Sequence, residues 1–263
     1  MIRVLHLSDL HFGRDRPELQ DPLLARIDAL APDVVAISGD FTQRARIGQF
    51  ERASAFVDRI AQPVISVPGN HDTPLDNIWI RMLRPWARYR DAIDSELEPV
   101  METPAAVLAG VNTVNRFSWQ RGRMSRRTVT RVCDAFADAG DRVRIVVLHH
   151  PLEHGQDVDK RLMRGAEPAL AALQECGADM VLSGHLHHTI TAPFGLAQGL
   201  LFVQAGTGLS SRHRGDRNTF NLIEADRRRI AVQTWQDDEG DDFRPFLDAA
   251  FTRQDGVWRR ADA

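Results

Sequence analysis

The chain has 263 residues, of which 43 % are hydrophobic and 26 % charged, with a formal net charge of −3 and a pI near 6.4. That length suits one large domain or two small ones with a sizeable core. The charge gives no global attraction to nucleic acid or anionic membranes.

No apolar run approaches the roughly 18 residues of a membrane-spanning helix. The opening stretch Met1–Leu7 is too short and too polar for a signal peptide. Two cysteines, Cys133 and Cys176, fall inside expected helices and read as separate buried thiols, not a disulfide framework. A cytoplasmic location is the expectation.

Ile2 to Leu7 is an apolar, β-rich run that leads into Asp9-Leu10-His11. Leu23, Leu24, Ile27 and Leu30 have helical spacing, and Pro32-Asp33 ends that helix. Val34 to Ile37 is a second buried strand, followed by Ser38-Gly39-Asp40. A helix over about 46–60 places Phe50, Ala53, Phe56, Val57 and Ile60 on one face. Pro63 to Val67 then runs into Pro68-Gly69-Asn70-His71-Asp72. Strand, polar turn and helix alternate, which indicates α/β architecture with largely parallel strands.

Residues 76–97 break this rhythm. Trp79, Met82, Leu83, Trp86 and Tyr89 alternate with arginines around Pro85. This reads as a broken helical insertion beside the site. Strands are expected over 107–114, over 143–148 ending in His149-His150, and over 180–182 ending in Gly184-His185-Leu186-His187. Helices are expected over 125–139 and 167–176. Strands without helices then follow at 189–193, 200–204, 219–224 and 230–235, which reads as antiparallel β. The domain is placed at 1–236, with a peripheral tail over 237–263.

Five apolar strands thus run directly into polar clusters. Strand ends of a parallel sheet share one edge, so the clusters can converge. The strand period of two would put both side chains of Asp9-x-His11 and of His185-x-His187 on one side. Carboxylates, an amide and imidazoles without thiolate form a mixed oxygen and nitrogen donor set. It suits manganese or iron, with zinc also admissible. The set is too large for one tetrahedral ion. Two ions about 3.5–4 Å apart are a device for in-line displacement at phosphorus.

These motifs resemble the calcineurin-like metallophosphoesterase superfamily, and within it the class III cyclic-nucleotide phosphodiesterase group of bacteria. The resemblance covers Ile2 to about Trp235. It implies a four-layer α/β/β/α sandwich of two mixed sheets, with a binuclear metal site at the strand C-termini. It also implies that Asp9, His11 and His187 hold one metal, that Asn70, His149 and His185 hold the other, and that Asp40 bridges them. His149, not His150, is the ligand on the same ground. His71 would stand over the substrate as proton donor or charge stabiliser, and a hydroxide shared by the metals would attack phosphorus.

Asp72 is open between support for His71 and a turn role. The Ser/Thr protein phosphatase branch has an Asp where this chain has Gln43, so that support for the catalytic His is missing here. Candidate substrate contacts are Arg81, Asn112, Arg212 and His213.

The expected activity is hydrolysis of cyclic nucleotides or similar small phosphodiesters. The alternatives are a hydrolase of the UDP-diacylglucosamine pyrophosphate bond, a nuclease-type phosphodiesterase, or a scaffold without activity. Neither duplex nucleic acid nor a membrane span is expected, and a homodimer is left open.

Overall fold

The structure is a computed structural model that describes residues 1–154, 161–211, 217–238 and 242–261. The first strand, β1 (Ile2–Leu7), shows how the layers arise. Its alternate residues bury in two different cores: Ile2 and Val4 in one, Leu5 and Leu7 in the other. A strand buried on both faces must read as a continuous apolar run.

The elements that follow are α1 (Gln20–Leu30), β2 (Val34–Ile37), α2 (Ile47–Val57), β3 (Val64–Ser66), α3 (Ile78–Leu83) and α4 (Ala87–Ala92). Then come β4 (Val100–Glu102), β5 (Ala106–Val111), α5 (Arg126–Ala137), β6 (Val143–Leu148), α6 (Ala166–Glu175) and β7 (Met180–Ser183). The last are β8 (Ile190–Pro193), β9 (Leu201–Gln204), β10 (Thr219–Ala225), β11 (Arg229–Asp237), β12 (Phe243–Gln254) and β13 (Val257–Arg260).

These strands form two sheets. One has seven strands in the order β13-β12-β11-β10-β1-β2-β3, and the other has six in the order β4-β5-β6-β7-β9-β8. Both are mixed. β1, β2 and β3 are mutually parallel, as are β5, β6, β7 and β9.

Three apolar cores separate four layers. Leu23, Leu24 and Ile27 of α1 and Phe50, Ala53 and Phe56 of α2 pack on Leu5, Val35 and Ile37 of the first sheet. Val129, Val132 and Phe136 of α5 and Leu170 and Leu173 of α6 pack on Val146, Leu148 and Val181 of the second. The inner faces of the sheets meet through Val4, Ala36, Leu108, Ile145, Val147 and Leu182. Each fully buried aliphatic side chain stabilises the fold by about 1.5–3 kcal/mol.

Three expectations are corrected. The segment from 237 onward is not a peripheral tail. It supplies β12 and β13, and Phe251 and Trp258 bury between the sheets. β9 is not part of a purely antiparallel set, because it runs parallel to β7 and antiparallel to β8. Cys133 and Cys176 are not separate thiols. They form a disulfide between α5 and the C-terminal end of α6, with Cα atoms 5.5 Å apart. The two helices pack side by side on one sheet face, which brings residues 43 apart in sequence into contact. Residues 76–97 carry α3 and α4, and Pro85 lies between them.

Candidate metal centre

The parallel strands end at one edge of the sandwich, and the two sheets meet there. Gly184 N–H donates to the His149 carbonyl at 3.1 Å, and Asp9 N–H donates to the Gly39 carbonyl at 3.0 Å. His185 N–H crosses between sheets to Asp9 Oδ2 at 2.9 Å. Four of the polar clusters converge through these contacts, and the fifth joins them where His71 N–H donates to Asp40 Oδ1.

The backbone at this edge is unusual. Asp9, His11, Asp40, His185 and His187 have φ of 54°, 51°, 53°, 74° and 65°. Left-handed backbone costs a non-glycine residue about 1–2 kcal/mol and persists only where surrounding structure holds it. The strand period therefore does not aim Asp9 and His11, or His185 and His187. β1 ends at Leu7 and β7 at Ser183, and left-handed turns beyond them aim the side chains. Gly184 allows that turn, since a Cβ there would strike the Ser8 hydroxyl and stand 2.6 Å from Asp9 Oδ2.

The donor atoms cluster closely. His187 Nε2 and His11 Nε2 lie 3.1 and 3.4 Å from Asp9 Oδ1. They lie 3.4 Å from each other. His149 Nε2 lies 3.3 Å from Asp40 Oδ2, 3.2 Å from Asn70 Oδ1 and 3.3 Å from His185 Nδ1. His11 Nε2 is 3.8 Å from Asp40 Oδ2, so Asp40 stands between the two groups.

Three overlapping sets could each hold a cation: Asp9, His11 and His187; Asp9, Asp40 and His149; and His149, His150 and His185. Ligands about 2.1 Å from one ion lie about 3.0–3.4 Å apart along an octahedral or tetrahedral edge. The close contacts match that spacing, so the residues present fit transition-metal ions.

The electrostatics agree. Burial alone would raise Asp9, yet the His187 and His11 imidazoles hold its carboxyl well below the usual range. Asp40 is likewise depressed against burial, by His149 and His71 first. Burial works to lower His149, but Asp40 overcomes it and raises the pKa to about 9. Fixed anions thus hold protons on buried imidazoles, and a cation that binds there displaces those protons.

Partners outside the cluster orient it. His149 Nδ1–H donates to the Ser38 carbonyl at 2.8 Å, which points Nε2 at Asp40. The Ser8 hydroxyl donates to Asp9 Oδ2 at 2.7 Å. His150 has its Nδ1 2.8 Å from Thr113 Oγ1, and its ring stands in the third donor set beside His149 and His185. His71 packs edge-on against His11, with ring centroids 4.9 Å apart. Its backbone N–H donates to Asp40 Oδ1 at 2.8 Å, and its Nδ1–H donates to the Gln43 carbonyl at 2.8 Å. The missing carboxylate is thus replaced by a main-chain oxygen. Sequence reasoning missed Ser8, Ser38 and Gln43 because two of them act through carbonyls, which any residue carries. The only legible signal was a serine at each of the first two strand ends.

Of the two roles left open for Asp72, its contacts are those of the turn. Its oxygens accept from the amides of Phe41, Thr42 and Gly69 and from the Thr42 hydroxyl. It clamps the turn of residues 69–72 to the Asp40 loop. Burial, and then Asp40, raise its pKa to about 7.

Arg81 is also reassigned. It is 4 % exposed, and its guanidinium donates to the carbonyls of Arg116 and Ser118 and to the Thr73 hydroxyl. It is a strut between α3 and the loop before α5, not a substrate contact. Arg81→Gln is expected to lower stability by about 2 kcal/mol in urea unfolding, with KM for a small diester unchanged. A raised KM at unchanged stability would restore the substrate role. Asn112 caps its own turn, with Oδ1 accepting from Val114 N–H at 3.0 Å. Arg212 and His213 lie outside the described residues.

A four-layer sandwich with paired Asp and His clusters at its strand ends defines the metal-dependent phosphoesterase class. The family model for calcineurin-like phosphoesterases matches residues 2–189, and the chain belongs to that family. It is similar to glycerophosphodiester phosphodiesterase GpdQ of Enterobacter lignolyticus, with 24 % identity over 157 residues, 56 % of this chain and 55 % of that protein. It is also similar to UDP-2,3-diacylglucosamine pyrophosphatase LpxG of Chlamydia trachomatis, with 32 % identity over 74 residues, 27 % of this chain and 22 % of that one. The chain spans about half the length of the first relative and under a quarter of the second. Among solved structures, purple acid phosphatase PPD1 from yellow lupin superposes with a TM-score of 0.72 at 14 % identity, over 97 % of this chain and 54 % of that one. That likeness establishes the shared fold.

Proposed function

We propose that the chain is a binuclear metal-dependent phosphodiesterase acting on small diesters such as cyclic nucleotides and glycerophosphodiesters. The observation that carries this reading is the chain of three donor sets, in which the set Asp9, Asp40 and His149 shares Asp9 with one neighbour and His149 with the other. Asp9, His11 and His187 would hold one ion and Asn70, His149 and His185 the other, with Asp40 between them. Mn and Fe suit these donors, as does Zn. Bound there, two cations would supply an acidified water and neutralise the phosphoryl oxygens.

The chain's own residues then do the rest. The Ser38 carbonyl and the Ser8 hydroxyl fix His149 and Asp9, so little reorganisation accompanies the reaction. His71 keeps its Nδ1 proton on the Gln43 carbonyl and passes the Nε2 proton to the departing alkoxide. That transfer suits esters whose alcohols leave poorly.

The test is a substrate panel run on protein reconstituted separately with Mn, Fe and Zn. The panel comprises bis(p-nitrophenyl) phosphate, cyclic AMP, 2′,3′-cyclic nucleotides, glycerophosphodiesters and UDP-2,3-diacylglucosamine. Two ions per chain with turnover on the diesters is the expected result. Turnover on the pyrophosphate alone would move the assignment toward the activity named for LpxG. A fully metallated chain inert on every ester would overturn the enzyme reading.

A further inference from the structure

The insertion and the loop before α5 form one surface. Arg81 donates to the carbonyls of Arg116 and Ser118, and Arg116 Nη1 donates to the Met82 carbonyl at 2.9 Å. This doubly tied surface carries the apolar side chains Ile78, Trp79, Leu83, Phe117 and Trp119, each 64–74 % exposed. Five large apolar groups held in water on two hydrogen-bonded segments are uncommon for a surface without a partner.

The charge of the same surface is one-sided. Residues 78–90 and 115–127 contain nine arginines and not one Asp or Glu, in a chain of net charge −3. Arg84, Arg116, Arg123, Arg126 and Arg127 are exposed, and none forms an ion pair with a described carboxylate. Arg116 and Arg123 share a cavity with Trp86 and Phe117, which joins the apolar and basic parts. Trp119 and Arg121 line a second cavity, of about 330 Å³, that reaches His150 and His185. The surface therefore continues to the edge of the candidate metal centre.

We propose that this face docks on an anionic lipid bilayer, with Trp79, Leu83, Phe117 and Trp119 entering the headgroup layer and the arginines meeting lipid phosphates. Tryptophan and phenylalanine beside aliphatic side chains and arginines are the composition of an interfacial anchor. Each arginine near such a surface adds attraction that fades within a Debye length. Two other occupants fit less well. A second copy meeting this face about a two-fold axis would set arginine against arginine with no carboxylate between. Single-stranded nucleic acid would meet the charges and stack on Trp79, Phe117 and Trp119, but it would leave Ile78 and Leu83 uncovered. The docking is a property of the surface and is independent of which ester is hydrolysed.

The experiment is co-sedimentation of the full chain with vesicles of phosphatidylcholine alone and of phosphatidylcholine mixed with phosphatidylglycerol. Binding to the mixed vesicles, weak binding to the neutral ones and release at high salt are expected. Leu83→Glu should lower partitioning roughly tenfold and Arg84→Gln about fivefold. Both positions are exposed, and neither belongs to the metal centre, so turnover on bis(p-nitrophenyl) phosphate should stay at the wild-type level. Circular dichroism checks that each variant is folded. Equal partitioning of wild type and folded Leu83→Glu would overturn the proposal. So would salt-sensitive binding to an oligonucleotide without binding to vesicles, or dimerisation in sedimentation equilibrium that Leu83→Glu abolishes.

Discussion

Asp40→Ala is expected to lose both bound ions and, with them, essentially all turnover. Asp40 is the carboxylate placed between the two donor groups, with Oδ2 3.3 Å from His149 Nε2 and 3.8 Å from His11 Nε2. Its other oxygen accepts from the His71 amide at 2.8 Å. Loss of a group that only orients a metal ligand costs about 10–100-fold in metal affinity, and the loss of a shared ligand exceeds that. The charge can be separated from the space by Asp40→Asn. It keeps an acceptor for the His71 amide and a similar volume, so it should fold like the wild type and still bind metal poorly. Metal analysis after gel filtration reads the outcome, with far-ultraviolet circular dichroism as the control for folding.

A second readout follows from the electrostatics of the metal-free chain. Asp40 is the foremost group that raises His149 against burial. Without it the His149 pKa falls below about 9, and an NMR titration of the imidazole follows the change. Two ions per chain in Asp40→Ala would remove Asp40 from the bridging position.

The parts of this centre that could be read in the sequence are those written in local chemistry. Val34–Ile37 is buried on both faces, so it had to be an unbroken apolar run, and such a run ending in Ser38-Gly39-Asp40 marks a strand end that presents a carboxylate. The same holds for Asp9-Leu10-His11 and Gly184-His185-Leu186-His187. Other features depend on tertiary neighbours that leave no local trace. β12 reads as a polar tail because its residues 244–248 are all exposed, and only Phe243 and Phe251 of the strand are buried. Arg81 looks like any surface arginine until the carbonyls of Arg116 and Ser118 close around it. The pairing of Cys133 with Cys176 depends on how α5 and α6 lie on the second sheet. Left-handed backbone at five donor residues is invisible for a further reason: Asp and His adopt it only when the fold holds them there.

His71→Ala should show the opposite pattern from Asp40→Ala, with both ions retained and turnover lost in proportion to the difficulty of the leaving group. The His71 ring lies beside the donor set, at 4.9 Å from the His11 ring, and its carbonyl partner Gln43 fixes which nitrogen faces outward. General acid catalysis contributes about 10²–10⁴-fold. That factor should be lost on alkyl diesters, whose alkoxides must be protonated as they leave. Nitrophenyl esters should lose far less, because nitrophenolate departs without a proton. Gln43→Ala sharpens the test. The partner of His71 Nδ1 is the main-chain oxygen of Gln43 at 2.8 Å, whereas the side-chain amide stands at 3.4 Å. Truncating that side chain leaves the oxygen in place, so activity on both ester types should stay close to wild type. An equal loss on alkyl and nitrophenyl esters in His71→Ala would instead assign the imidazole to stabilising phosphoryl charge. A large loss in Gln43→Ala would shift the support of His71 from the backbone to the amide.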